Sequence, residues 1–150
     1  MLRCTIVHDI SCGHRLCGHE GPCANLHGHN YRFHFVCQAS DGGVDSLGRV
    51  VDFCVIKDSL CAWLDTHWDH RLLLWADDPL LPALAAIDPS VIPVPCNPTA
   101  ENMARHLGEV VAPQCLAEAG AGNVAVVSCT VEETGDCSAT WEREHERPNA

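Results

Sequence analysis

Cys23-Ala24-Asn25-Leu26-His27-Gly28-His29-Asn30-Tyr31 carries two imidazoles separated by one glycine, with a further histidine, His14, upstream. On an extended chain successive side chains alternate faces, so His27 and His29 point to the same side. The alternation continues through Tyr31, Phe33, Phe35 and Cys37, which predicts a strand from His27 to about Ala39. The stretch from Cys4 to Cys12 alternates in the same way, with Ile6, His8, Ile10 and Cys12 on one face; continued in register, that face carries His14. Each strand thus ends an apolar face in histidine. Three imidazoles with an open fourth position are the ligand set of a zinc site that does chemistry.

Cys23 lies just outside the histidines. It is either a fourth zinc ligand, closing a structural site, or a nucleophile or base whose thiolate the adjacent cation favours. Spacing alone leaves both open.

Outward from this core, Asp41-Gly42-Gly43 marks a turn, and Asp52 stands where an N-cap starts a helix. Phe53, Ile56, Leu60, Trp63 and Leu64 recur at helical spacing to about His67. Six prolines between 75 and 98 predict an irregular connection with one short helix around Leu80–Ala86. Thr99 caps a second helix with an apolar stripe of Met103, Leu107, Val110 and Val111, which Pro113 ends or kinks. Gly120-Ala121-Gly122 turns into a third strand, Asn123 to Glu133, and a short fourth strand covers Ser138–Trp141. The charged tail from Glu142 is expected to fray. The order strand, strand, helix, helix, strand, strand predicts an α+β fold: one domain over 1–150, with an antiparallel sheet and both helices on one face.

Two further positions invite chemistry. Asp69 beside His70 at a helix end would hold the imidazole in one tautomer and raise its basicity, although a solvated helix terminus has the same composition. Glu133 ends an apolar strand, where its carboxylate would bind two parallel N–H donors of a heterocycle or simply meet solvent.

Composition bounds the rest. Eleven cysteines, an odd number with no Cys-x-x-Cys, argue against a disulfide framework and for buried reduced thiols. A formal charge of −11 argues against nucleic acid as a partner. No apolar run is long enough to span a membrane and no charged-then-apolar leader opens the chain, so a cytoplasmic location is expected. An anionic substrate would have to draw on only nine cationic residues, of which Arg15, Lys57 and Arg71 stand nearest the motifs.

Six segments in order resemble the 6-pyruvoyl-tetrahydropterin synthase and 6-carboxytetrahydropterin synthase family: His14-Arg15-Leu16, Cys23 to Tyr31, Val51-Asp52-Phe53, Asp69-His70, Pro98-Thr99-Ala100-Glu101-Asn102 and Glu133-Thr134. The resemblance implies the tunnelling fold and a homohexamer of two stacked trimers with active sites at subunit interfaces. It implies that His14, His27 and His29 bind Zn2+, that Cys23 is the catalytic thiol, and that Asp69 with His70 supplies the second proton-transfer group. Glu133 would anchor the pterin ring, helped by Thr99 and the backbone at Ala100. The implied substrate is 7,8-dihydroneopterin triphosphate.

The three residues between Cys23 and His27 look like the carboxy branch. That branch releases triphosphate and acetaldehyde, giving 6-carboxytetrahydropterin on the way to the 7-deazaguanine of queuosine. The pyruvoyl branch, which only eliminates triphosphate, and a non-catalytic zinc or pterin-binding module are the alternatives. The chain departs from the family where Trp68 precedes Asp69, where a Pro-rich insert fills 77–96, and where Ser11-Cys12-Gly13 precedes the first ligand, so that Cys12 could compete for metal. Asp65 with His67 is an alternative dyad.

Overall fold

A computed structural model describes residues 1–144 of the chain. Its two longest strands, β1 (Cys4–His14) and β2 (His27–Ala39), run antiparallel in a ladder from Cys4 opposite Cys37 to His14 opposite His27. The alternation sets the faces as expected. Ile6, Ile10, Cys12 and His14 of β1, with Tyr31, Phe33, Phe35 and Cys37 of β2, are buried on one side.

Four more strands complete the sheet. β3 (Leu72–Trp75) and β4 (Val91–Val94) run parallel on the β1 side, while β5 (Val124–Thr134) and β6 (Cys137–Glu142) run antiparallel beyond β2, in the order β4-β3-β1-β2-β5-β6. The sheet is therefore mixed, which corrects the expected purely antiparallel one. β3 and β4 escaped the alternation argument because Leu72-Leu73-Leu74-Trp75 and Val91-Ile92-Pro93-Val94 are short apolar runs without a period. Four apolar residues are too few to show a period.

Two long helices pack on the buried face: α1 (53–67) and α3 (100–118). A shorter one, α2 (Leu81–Ile87), lies within the Pro-rich insert, one residue from its expected place. Both predicted caps form. Asp52 accepts from the Cys54 N–H at 2.9 Å and Thr99 from the Asn102 N–H at 3.1 Å. Each long helix contains a π-turn, Lys57–Cys61 in α1 and Leu107–Val111 in α3. The second lies directly before Pro113, where a widened turn accommodates the missing N–H and the ring, so α3 continues to Glu118. It also shifts the helical register: Gly108 and Val111 face inward while Val110 is exposed, contrary to the expected stripe. Phe53, at the first turn of α1, is exposed as well.

Ile56, Leu60 and Leu64 of α1 and Met103, Ala104 and Leu107 of α3 form one core with the inward side chains of β1, β2 and β5. Both helices thus cover one sheet face, leaving Thr5, Asp9, Ser11, Asn30 and Arg32 on the other. The tail expected to fray falls mainly on residues 145–150, outside the described residues; Glu142 itself ends β6. Among the described residues no helix is long and apolar enough to cross a membrane.

Candidate metal centre and active site

His14 and His27 are cross-strand partners at the end of the β1–β2 ladder, and His29 lies two residues further along β2, opposite Cys12. One ligand atom from each of the three falls within 4.8 Å of the others, so the register brings together the three imidazoles that the alternation predicted. Gly28 stands directly across from Gly13. A Cβ at Gly28 would sit 3.0 Å from the Cys12 carbonyl oxygen, so glycine is what lets the two backbones approach here.

Hydrogen bonds decide which nitrogens are free. Nδ1 of His14 lies 2.7 Å from the Pro98 carbonyl and Nδ1 of His27 lies 2.7 Å from the Asn25 carbonyl, so each Nδ1–H donates. Both Nε2 atoms then carry lone pairs, and they face each other at 3.0 Å. Nε2 of His29 is buried with no hydrogen-bond partner among the described residues. Two opposed lone pairs and an orphaned third suit a shared cation, whose nitrogens in a tetrahedral zinc site would stand roughly 3.3 Å apart. Carbonyls behind ligating imidazoles are the usual outer support of such a site. Burial holds His14 and His29 below their ordinary pKa and so favours the neutral, ligating form; the Pro98 carbonyl at His14 and the Glu133 charge at both rings pull the other way without overcoming it. The three residues therefore fit a metal ion.

Glu133, near the end of β5, reaches toward this cluster, with Oε1 3.5 Å from His29 Nε2 and Oε2 4.0 Å from His14 Nε2. It also lines a groove of about 300 Å3 with Thr99, Ala100, Glu101, Cys137 and Ser138. The three residues expected to hold a ring thus share one groove beside the histidines.

Cys23 sits on a 3-10 turn, Pro22–Ala24, and is half-buried. It is not among the atoms that cluster with the imidazoles; among the described residues the cluster is the three histidines alone. Cys12 shares the face of His14 but is also outside the cluster. Burial, with Asp69 nearby, pushes its thiol up to about 12, which keeps it protonated.

Asp69 and His70 form the expected pair, Oδ2 to Nδ1 at 2.8 Å, while the other Asp69 oxygen accepts from the Ser11 N–H at 2.9 Å. Burial alone would raise the Asp69 carboxyl, but the Ser11 N–H and the His70 ring outweigh it and hold it below the carboxylate range. His70 has φ 56°, a left-handed conformation that turns the chain from α1 into β3, and its side chain is 82% exposed. The alternative dyad does not form, because Asp65 pairs with His8 at 2.7 Å and His67 bonds the Trp63 carbonyl. His70 opens on a different groove from Glu133, one of about 480 Å3 that also passes Ser11, Gly28, His29 and Arg71.

Three contributors escaped sequence reasoning. The Tyr31 hydroxyl lies 3.1 and 3.3 Å from the two ring nitrogens of His14, a contact that the alternation through His29 could have suggested. Asn97 bonds both backbone groups of Cys17, at 2.8 and 2.9 Å. Asp78 takes the Arg15 guanidinium at 2.6 Å, an ion pair inside the chain. Neither of these last two carries a local signal.

The family model of 6-pyruvoyl tetrahydropterin synthase matches residues 3–144. A Rickettsia typhi protein named 6-carboxy-5,6,7,8-tetrahydropterin synthase is 34% identical over 91% of this chain and 97% of its own. A Halobacterium salinarum protein named as a probable 6-carboxy-5,6,7,8-tetrahydropterin synthase is 39% identical over 83% of this chain and 76% of its own. Among solved structures, an uncharacterised protein of Wolinella succinogenes superposes with a TM-score of 0.81 at 22% identity, covering 95% of this chain and 98% of that one. The 6-pyruvoyl tetrahydropterin synthase of Caenorhabditis elegans does so at 0.66 and 23%, covering 95% and 96%.

Proposed function

The chain belongs to the 6-pyruvoyl tetrahydropterin synthase family of pterin lyases, and on that premise we propose that it is a zinc enzyme making 6-carboxy-5,6,7,8-tetrahydropterin. The substrates would be 7,8-dihydroneopterin triphosphate and one water, whose oxygen enters the new carboxylate; the other products would be acetaldehyde and triphosphate, and the destination the 7-deazaguanine of queuosine. The observation that carries this choice is the name shared by curated relatives that match nearly the whole chain. The Cys-x3-His spacing from Cys23 to His27 supports the same branch.

His14, His27 and His29 would hold the zinc. The chemistry such an ion supplies is Lewis-acid polarisation of the substrate's side-chain hydroxyl oxygens, which acidifies their protons and the adjacent C–H. Glu133 would accept the parallel N–H donors of the pterin edge, with Thr99 and the Ala100 backbone closing the groove around the ring. Cys23 and His70 would move protons on opposite sides of the side chain. Because Asp69 takes Nδ1 of His70, the working atom of that ring is Nε2. Within one chain His70 and the Glu133 groove are separate. That separation supports a site completed by a second copy, as in a homohexamer built from single tunnelling-fold domains.

Incubation of the purified protein with 7,8-dihydroneopterin triphosphate, followed by mass spectrometry, is expected to give the carboxy product and acetaldehyde. A product that keeps all three side-chain carbons would move the protein to the pyruvoyl reaction, and no turnover with zinc bound would sink the enzymatic reading. Cys23→Ala is expected to lose activity and keep zinc. Loss of zinc instead would make Cys23 a fourth ligand.

A further inference from the structure

Arg15 follows His14 directly and carries a bond pattern that the proposed chemistry does not use. Its Nε donates to Oδ2 of Asp78 at 2.6 Å, and its Nη1 donates to the carbonyl of Ala24 at 3.1 Å. Asp78 comes from the Pro-rich insert. Its side chain is fully buried, and its second oxygen accepts from the Leu80 N–H at 2.9 Å. A carboxylate removed from water needs a partner of opposite charge with fixed geometry, and the planar guanidinium supplies one while leaving a second arm free. That arm grips the residue next to Cys23.

The turn is held from its neighbouring carbonyl too. The Leu16 N–H donates to the Cys23 carbonyl at 2.8 Å, and Asn97 fixes Cys17 through both backbone groups. The carbonyls of Cys23 and Ala24 are thus bonded to the two residues that follow His14, so the position of the thiol is referred to the end of the strand that carries the first histidine.

We infer that Asp78 and Arg15 are positioning residues: the insert supplies a buried carboxylate that locks the Arg15 fork, and the fork sets the Pro22–Ala24 turn and with it the place of Cys23 relative to the end of β1 that carries His14. This rests on the proposed catalytic role of Cys23, and it gives the insert and Arg15 a function in the site. Arg15 is then not a ligand of the triphosphate.

The test uses the full-length, zinc-loaded protein and four variants: Arg15→Lys, Asp78→Asn, Asp78→Glu and Cys23→Ser. A lysine at 15 keeps a charge for Asp78 but cannot reach the Ala24 carbonyl at the same time, so it releases the turn while keeping the buried carboxylate paired. Peptide mapping after timed iodoacetamide treatment reads the alkylation rate of Cys23, independent of turnover. In Arg15→Lys we expect that rate to change about threefold or more and kcat to fall about tenfold, with KM within about twofold, as misplacement of a reacting group does. Zinc content and the melting temperature, read in parallel, identify a variant that has failed to fold. Asp78→Asn should move alkylation in the same direction, and Asp78→Glu should restore part of it.

Unchanged Cys23 alkylation in folded Arg15→Lys would overturn the inference. So would a raised KM with kcat retained, which would return Arg15 to substrate binding. Activity retained in Cys23→Ser would instead sink the catalytic reading of Cys23, while the alkylation result would still judge the latch.

Discussion

His14 and His27 close the β1–β2 ladder with their Nε2 atoms 3.0 Å apart, each ring anchored through Nδ1 to a backbone carbonyl. Two lone pairs fixed face to face by their supports repel unless a cation lies between them. The protein purified with zinc should therefore lose thermal stability on chelation. A ligand present at a thousand times its dissociation constant contributes about 4 kcal/mol. His27→Ala should abolish stoichiometric zinc in elemental analysis, while the fold, read by far-ultraviolet circular dichroism, persists. Stoichiometric zinc in His27→Ala would count against the three-histidine site.

Gly28 separates the two histidines of β2 and stands opposite Gly13. Gly28→Ala would bring a methyl against the Cys12 carbonyl, which belongs to backbone and cannot swing aside. Prying the strands apart should cost about 1–3 kcal/mol, as overpacking does. It should also weaken zinc binding by about tenfold or more, the scale of lost ligand support. Titration of the apo protein with zinc and a competing chelator checks this, and unchanged affinity would mean that the ladder absorbs the methyl.

How much of this was legible in the sequence follows from the range of each interaction. The faces of β1 and β2, and with them the histidine cluster, came from period-two alternation because one side of each strand is buried and the other is not. The caps Asp52 and Thr99 were legible because a cap bonds two or three residues away. β3 and β4 were not, since four apolar residues are too few to show a period, and Val110 was misplaced because a π-turn adds a residue to the helical count. The ion pair of Arg15 was hidden because its partner, Asp78, lies 63 residues away inside an insert without periodicity. What the sequence hid are the contacts whose two ends are far apart in the chain.

Gly108 shows what the π-turn in α3 accomplishes. It places a residue without a side chain under the Trp141 indole of β6, where a Cβ would fall among the ring atoms, and Glu109 accepts from the indole N–H at 3.0 Å. Gly108→Ala must displace Trp141 and with it the outer edge of the sheet. A cost of about 1–3 kcal/mol is expected, which for a chain of this size lowers the melting temperature by several degrees. Trp141→Ala in the same background should recover part of the loss, because the clash is then gone. Equal stability of Gly108→Ala and the parent would show that the indole moves freely.

Asp78 gives the protein a pH dependence whose sign can be worked out. Burial pushes its carboxyl up, but the Arg15 hydrogen bond, the Leu80 N–H and the Arg15 charge together outweigh burial and hold it below the ordinary carboxylate value of 3.8. A group with a depressed folded-state pKa stabilises the fold above its unfolded value, and that contribution is lost as pH falls through the folded one. The pair is therefore fully effective at neutral pH and fades only below about pH 4, in the range set by the ordinary carboxylate. Asp78→Asn removes the titrating group, so its melting temperature should start lower at pH 7, where Arg15 has lost its counter-charge. On acidification it should then fall less steeply than the parent below about pH 4. Asp9, Asp45, Asp52 and Asp88 are depressed as well, so the parent and the variant will share most of the acid loss and the difference of slopes is the quantity to read. Parallel slopes through that window would mean that the Asp78 carboxylate is not held by Arg15, and the positioning of the Cys23 turn would lose its anchor with it.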